Sequence, residues 1–156
     1  MMVENKNIND VEFKMMFSKE AENDYNLMIV VGNNSIKKRI LKIQEYIKIN
    51  LNFELSRILI NSTKNEVMDP VSLIEKIIEK KGEKIFLTDI NVLFDSNLKW
   101  DPLKILKKLS EKYCLLVFWE GKIDGKFLTY AVKEHKEFVE FPEQKDEGIL
   151  IKEMIH

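Results

Sequence analysis

Three stretches of the chain are almost unbroken in apolar residues: YNLMIVV at 25–31, EKIFLTD at 83–89 and CLLVFWEG at 114–121. A strand with one wet face alternates apolar and polar residues, whereas a strand covered on both faces reads as a continuous apolar run. Between these runs the period changes. Ile36, Ile40, Leu41, Ile43 and Ile47 recur at helical spacing. DPVSLIEKIIEKKG (69–82) and WDPLKILKKLSEKY (100–113) each place an Asp before a Pro, which reads as an N-cap followed by the first helical residue. Strands alternating with helices predict an α/β fold, with a mostly parallel sheet between helices on both faces.

Other segments are less decided. DVEFKMMFSKEAEND (10–24) brings Val11, Met15 and Phe17 near one face and reads as a short helix. Residues 47–60 begin with strand alternation at Ile47, Ile49, Leu51 and Phe53, but their second half suits a helix carrying Leu55, Ile58 and Leu59. IDGKFLTYAV (123–132) has an Asp-Gly turn signal before a β-rich run, so a C-terminal hairpin is expected. Past Phe141-Pro142 the chain turns polar and closes with a short amphipathic stretch. The expected organisation is therefore one domain over 1–156, with a core at about 10–140 and a polar tail over 142–156.

Composition narrows the class. The chain has 156 residues, 45% hydrophobic and 33% charged, enough apolar material for one core. A net charge of −1 does not suggest a generally basic surface. No apolar run approaches the roughly 18 residues that span a bilayer, and the N-terminal residues lack a signal-peptide pattern. Cys114 is the single cysteine, without partners for an internal disulfide or a zinc site. A cytoplasmic location without membrane contact is expected.

The candidate chemistry lies at MIVVGNNSIKKRIL (28–41), which has the outline of a phosphate-binding P-loop. In G-x-x-x-x-G-K-[ST], Gly32 takes the first glycine, Asn33 to Ile36 the variable loop and Lys38 the phosphate lysine. Lys37 stands on the second glycine, where a Cβ crowds the anion nest. Arg39 stands on the Mg²⁺-binding hydroxyl, and a guanidinium has no acceptor to offer a metal. Ser35 lies near but at another offset. Three cations at an expected helix N-terminus oppose the helix dipole, which favours an anionic partner. The alternative is a row of solvated side chains. IFLTD (85–89) matches a Walker B strand, with Asp89 as the Mg²⁺ acid, but Ile90 follows where hydrolytic members often carry Glu. Asn91 and Asp95 lie near the same edge, Asp95 reading better as a loop or capping residue. His135 and His156 read as surface histidines, Cys114 as a core residue and Trp119 as edge packing. No residue is assigned a catalytic role.

Three blocks carry a family resemblance: LNFELSR (51–57), LTDINVLFDSNLKWDPLKILKKLS (87–110) and GKFLTYAVKEHKEF (125–138). The chain resembles BrxF, the small P-loop proteins of type 3 BREX bacteriophage-exclusion islands, over about residues 10–140. The resemblance implies a P-loop NTPase-like, three-layer αβα domain serving an antiphage system, with ATP and Mg²⁺ as cofactors and protein subunits of a defence complex as partners. Gly32, Ser35, Lys37, Lys38 and Arg39 are the expected nucleotide-binding positions and Asp89 the metal position. Departures at 37, 39 and 91, where Asn91 replaces an expected acid, leave open that no cofactor binds and that ATP hydrolysis is lost. Three readings follow: a degenerate P-loop subunit that binds protein partners, a working ATP-binding protein or weak ATPase, and a DNA-binding accessory. The first is favoured. Nucleic acid is not the favoured partner, and an oligomer is compatible with the class.

Overall fold

Strand β2 (Leu27–Val31) is buried at all five positions. It needs covering on both faces and pairing on both edges, and the rest of the sheet supplies this. The computed structural model describes residues 2–5, 13, 26–60, 69–79, 81–124, 127–130, 139–141 and 149–155. β2 leads into α1 (Asn34–Leu41), then β3 (Ile47–Asn50) and, with no intervening loop, α2 (Leu51–Ile60). α3 (Pro70–Ile78) precedes β4 (Lys84–Thr88), a 3-10 turn at Ile90–Phe94, α4 (Pro102–Ser110) and β5 (Cys114–Trp119).

Two further strands complete the main sheet: β1 (Met2–Asn5) and β9 (Ile149–Ile155). Its order is β1-β9-β2-β5-β4-β3, and every described pairing within it is parallel. A separate antiparallel sheet is built from β6 (Lys122–Asp124), β7 (Phe127–Tyr130) and β8 (Val139–Phe141). The expected hairpin is therefore present as β6–β7, with a third strand beside it.

Period-2 side-chain alternation splits the core into two layers. Leu27, Ile29, Val31, Leu115, Val117 and Ile151 point to the face covered by α2, α3 and α4. Met28, Val30, Leu116, Phe118, Leu150 and Met154 point to the opposite face, packed by Ile36 and Ile40 of α1 and by Phe13. Helices on both faces of a parallel sheet define the α/β class. Asp69 and Asp101 cap α3 and α4 as the Asp-Pro pairs predict: Asp69 accepts from the Val71 N–H at 3.3 Å and Asp101 from the Lys104 N–H at 3.2 Å.

Two expectations change. Residues 149–155 are not a polar tail. They form β9, between β1 and β2, with Leu150, Ile151 and Met154 in the core. Their sequence, ILIKEMI, carries Lys152 and Glu153 in mid-run, which hides the strand signal; Lys152 is only 1% exposed. The polar N-terminal stretch likewise contains β1, legible only once its partner is known. The ambiguous 47–60 segment divides at Asn50/Leu51 into strand and helix. Of the helix expected over 10–24, only Phe13 is described, and it is helical.

Candidate functional site

Adjacent strands β2 and β5 send their following connections in opposite directions, β2 toward β3 and β5 across β2 toward β9. In open parallel sheets such a switch point leaves a crevice at the strands' carboxyl ends, where ligands bind. Here the crevice is a cavity of about 490 Å³ lined by Gly32, Asn33, Glu120, Lys122 and Glu153, among others. Sequence reasoning pointed to its Gly32 side and missed Glu120 and Glu153. Glu120 was detectable as the polar residue directly after the third apolar run.

On the β2 side the geometry departs from a P-loop. Only Gly32 and Asn33 separate strand from helix. Asn33 is the N-cap, and its Oδ1 accepts from the Ile36 N–H at 3.1 Å. Asn34, Ser35 and Ile36, expected in a phosphate-cradling loop, are already helical, and Ile36 is buried in the core. The Asn33 cap starts the helix early because Ile36 and Ile40 must both reach the sheet. Lys38 and Arg39 therefore sit in the last turn of α1 rather than at its N-terminus, and there they complement the helix dipole. The dipole argument for an anion at these residues is overturned.

Gly32 has a packing reason of its own. A Cβ there would stand 3.1 Å from the Met154 carbonyl oxygen and 3.2 Å from Ile36 Cβ. The close approach of β9 and α1 thus accounts for this glycine without a phosphate.

The three cations diverge. Lys38 is exposed, and the Arg39 guanidinium lies over the Phe13 ring, 4.2 Å from its centroid. Lys37 alone crosses to the carboxyl end of β4, placing Nζ 3.1 and 3.0 Å from Asp89 Oδ1 and Oδ2. Both side chains are half-buried, 21% and 30% exposed. Asp89 itself has φ 53° and ψ 58°, a left-handed conformation that Asp tolerates better than most residues. Its carbonyl accepts from the Asn52 N–H at 2.8 Å, tying the turn to the start of α2.

Asp89 also acts on Glu120. Burial first, and then the Asp89 charge, push the Glu120 carboxyl above its ordinary value, while Lys37 opposes the shift. Asn91 is exposed on the 3-10 turn, and Asp95 accepts from the Asn97 N–H at 2.9 Å as a turn residue. Cys114 is half-buried, and burial raises its thiol pKa against a lowering by Lys84, so it is not an activated nucleophile. His135 and His156 lie outside the described residues.

Beyond Glu120 the chain enters the small sheet, held to the main one by Trp119. This side chain is fully buried and donates its indole N–H to the Thr129 carbonyl at 2.8 Å. Phe94 meets Trp119 edge-on, with centroids 5.2 Å apart, and stacks on Tyr130 at 3.8 Å. The aromatic trio thus joins the turn after Asp89 to β7. Trp119 is packing, as expected, and contributes no face to the crevice.

The residues fit a Mg²⁺–nucleotide poorly in this arrangement. Asp89 is engaged by an ammonium, position 39 offers no oxygen ligand, and the strand-to-helix connection is too short for the P-loop cradle. Among the described residues no three His, Cys, Asp or Glu side chains cluster as a metal site. No helix among them is long and apolar enough to cross a membrane. No family model, curated protein or solved structure matches the chain.

Proposed function

We propose that this chain is a P-loop-like α/β subunit whose nucleotide chemistry has given way to a fixed ion pair, and that it works by binding protein partners. The Lys37–Asp89 contact carries the reading. A lysine from the helix after β2 and an acid at the end of β4 neutralise each other where the Walker pattern would set phosphate and Mg²⁺. The early start of α1 and the packing role of Gly32 support it independently. The resemblance to BrxF supplies the setting, an antiphage defence complex in the cytoplasm.

One observation favours the second reading, a nucleotide-binding protein or weak ATPase. Lys37 rather than Lys38 faces the acid, so a phosphate could draw Lys37 away and release Asp89 for a metal. Thermal unfolding with and without Mg-ATP separates the two readings. The proposal expects no shift for the parent chain, Lys37→Ala or Lys38→Ala. Ligand at 100 times its dissociation constant would add about 2.7 kcal/mol, a visible rise. Such a rise, lost in Lys37→Ala and Asp89→Asn, establishes the second reading instead.

A further inference from the structure

A lysine-rich stretch lies away from the crevice, along α4 and facing α3. Residues 99–112, KWDPLKILKKLSEK, hold five lysines against two acids in a chain whose net charge is −1. They form one wall of a groove of about 610 Å³ between the two helices. Lys99, Lys104 and Lys108 are exposed and Lys107 is half-buried, all on the groove wall.

Three acids share the groove with four lysines, leaving a formal excess of one positive charge, and two of the acids serve as helix caps. Asp69 accepts from the Val71 N–H and from the Ser72 hydroxyl at 2.7 Å, and Asp101 from the Lys104 N–H. Glu111 pairs with Lys108 at 3.3 Å on the open surface, where such pairs are weak and exchangeable. Trp100 completes the wall, half-buried with one side packed on the core. Lys99 and Lys104 line the same groove beside it.

We infer that this groove binds single-stranded nucleic acid, with a base stacked on Trp100 and the flanking phosphates on Lys99, Lys104 and Lys107. An aromatic platform set among lysines at short spacing is the combination that single strands use. An acidic polypeptide would satisfy the lysines but leave Trp100 unused. The groove is separate from the Lys37–Asp89 site, so the inference stands or falls without the reading above.

The chain has two tryptophans, and Trp119 is fully buried, so quenching of intrinsic fluorescence by an oligonucleotide reports on Trp100. The experiment titrates the full chain with an oligothymidylate of about 12 nucleotides, following tryptophan quenching and the anisotropy of a labelled strand. With three phosphates neutralised, affinity should fall about twentyfold between roughly 50 and 200 mM NaCl. Lys99→Glu/Lys104→Glu should abolish the anisotropy change while melting like the parent. Trp100→Ala should weaken binding roughly tenfold, and Trp100→Phe should retain most of it. Lys37→Ala should bind as the parent does. Absence of binding at the lower salt, binding untouched by the Lys99/Lys104 change, or capture of polyglutamate in preference to oligothymidylate would each overturn the inference.

Discussion

Lys37 and Asp89, 52 residues apart in the chain, meet through two contacts of 3.1 and 3.0 Å, so one ammonium spans both carboxylate oxygens. The pair joins the helix after β2 to the end of β4 across the intervening β5. A double-mutant cycle with Lys37→Met and Asp89→Asn should give a coupling of about 1 kcal/mol, the upper range for a partly solvated pair. The coupling should shrink in high salt. Urea unfolding of the four proteins measures it, and a coupling near zero would remove the ion pair from the account of this site.

The left-handed backbone at Asp89 makes a distinct prediction. Asp89→Asn loses the charge but keeps a residue suited to φ 53°, whereas Asp89→Val adds a β-branched side chain there. The Val variant should be less stable than the Asn variant by about 1–2 kcal/mol. Asp89→Gly should sit with Asn or above it. Equal stabilities for Val and Asn would contradict the assigned conformation.

Gly121 is fixed by what surrounds it. An added Cβ would stand 1.7 Å from the Thr129 carbonyl oxygen and 2.5 Å from Trp119 Nε1, inside the hydrogen bond those atoms make. Gly121→Ala should cost about 3 kcal/mol by displacing the small sheet. Trp119→Phe removes the indole donor from the Thr129 carbonyl and should cost about 1–3 kcal/mol. Chemical denaturation checks both, and proteolysis between β5 and β8 should quicken in each variant.

Glu120 sets a pH dependence. Its carboxyl is held above the ordinary value of 4.5, so the folded state disfavours its ionised form. That stability is fully present below the ordinary value and is lost as pH rises through the raised one. Glu120→Gln should therefore melt higher than the parent at pH 7, and the difference should close in acid. Lys37→Met should widen the gap, because Lys37 is the charge that opposes the shift. A melting difference independent of pH would contradict this electrostatic origin.

The sheet's central strands were legible because burial on both faces leaves an apolar run that no other element of that length needs. The Asp-Pro starts of α3 and α4 were legible because capping chemistry is local. β9 was not, because its place was earned through pairing with β1 and β2, and Lys152 and Glu153 break its apolar pattern. At the site, residue types pointed to the carboxyl edge of the sheet, where the structure sets Asp89 against Lys37. Which cation faces it was not readable, since that depends on where α1 begins. Glu120 and Gly121 were missed because their roles depend on neighbours in β4 and β7.

The position of β9 bears on how the molecule is made. As synthesis proceeds, β1 emerges well over a hundred residues before its described partner, the strand at 149–155. β2 meets β5 earlier, but its other edge also waits for β9. Until β9 is made, β1 therefore has no described partner and one edge of β2 stays open, and pairings of such long sequence separation form slowly. The middle of the sheet on that side is thus closed last, by a strand from the far end of this sequence.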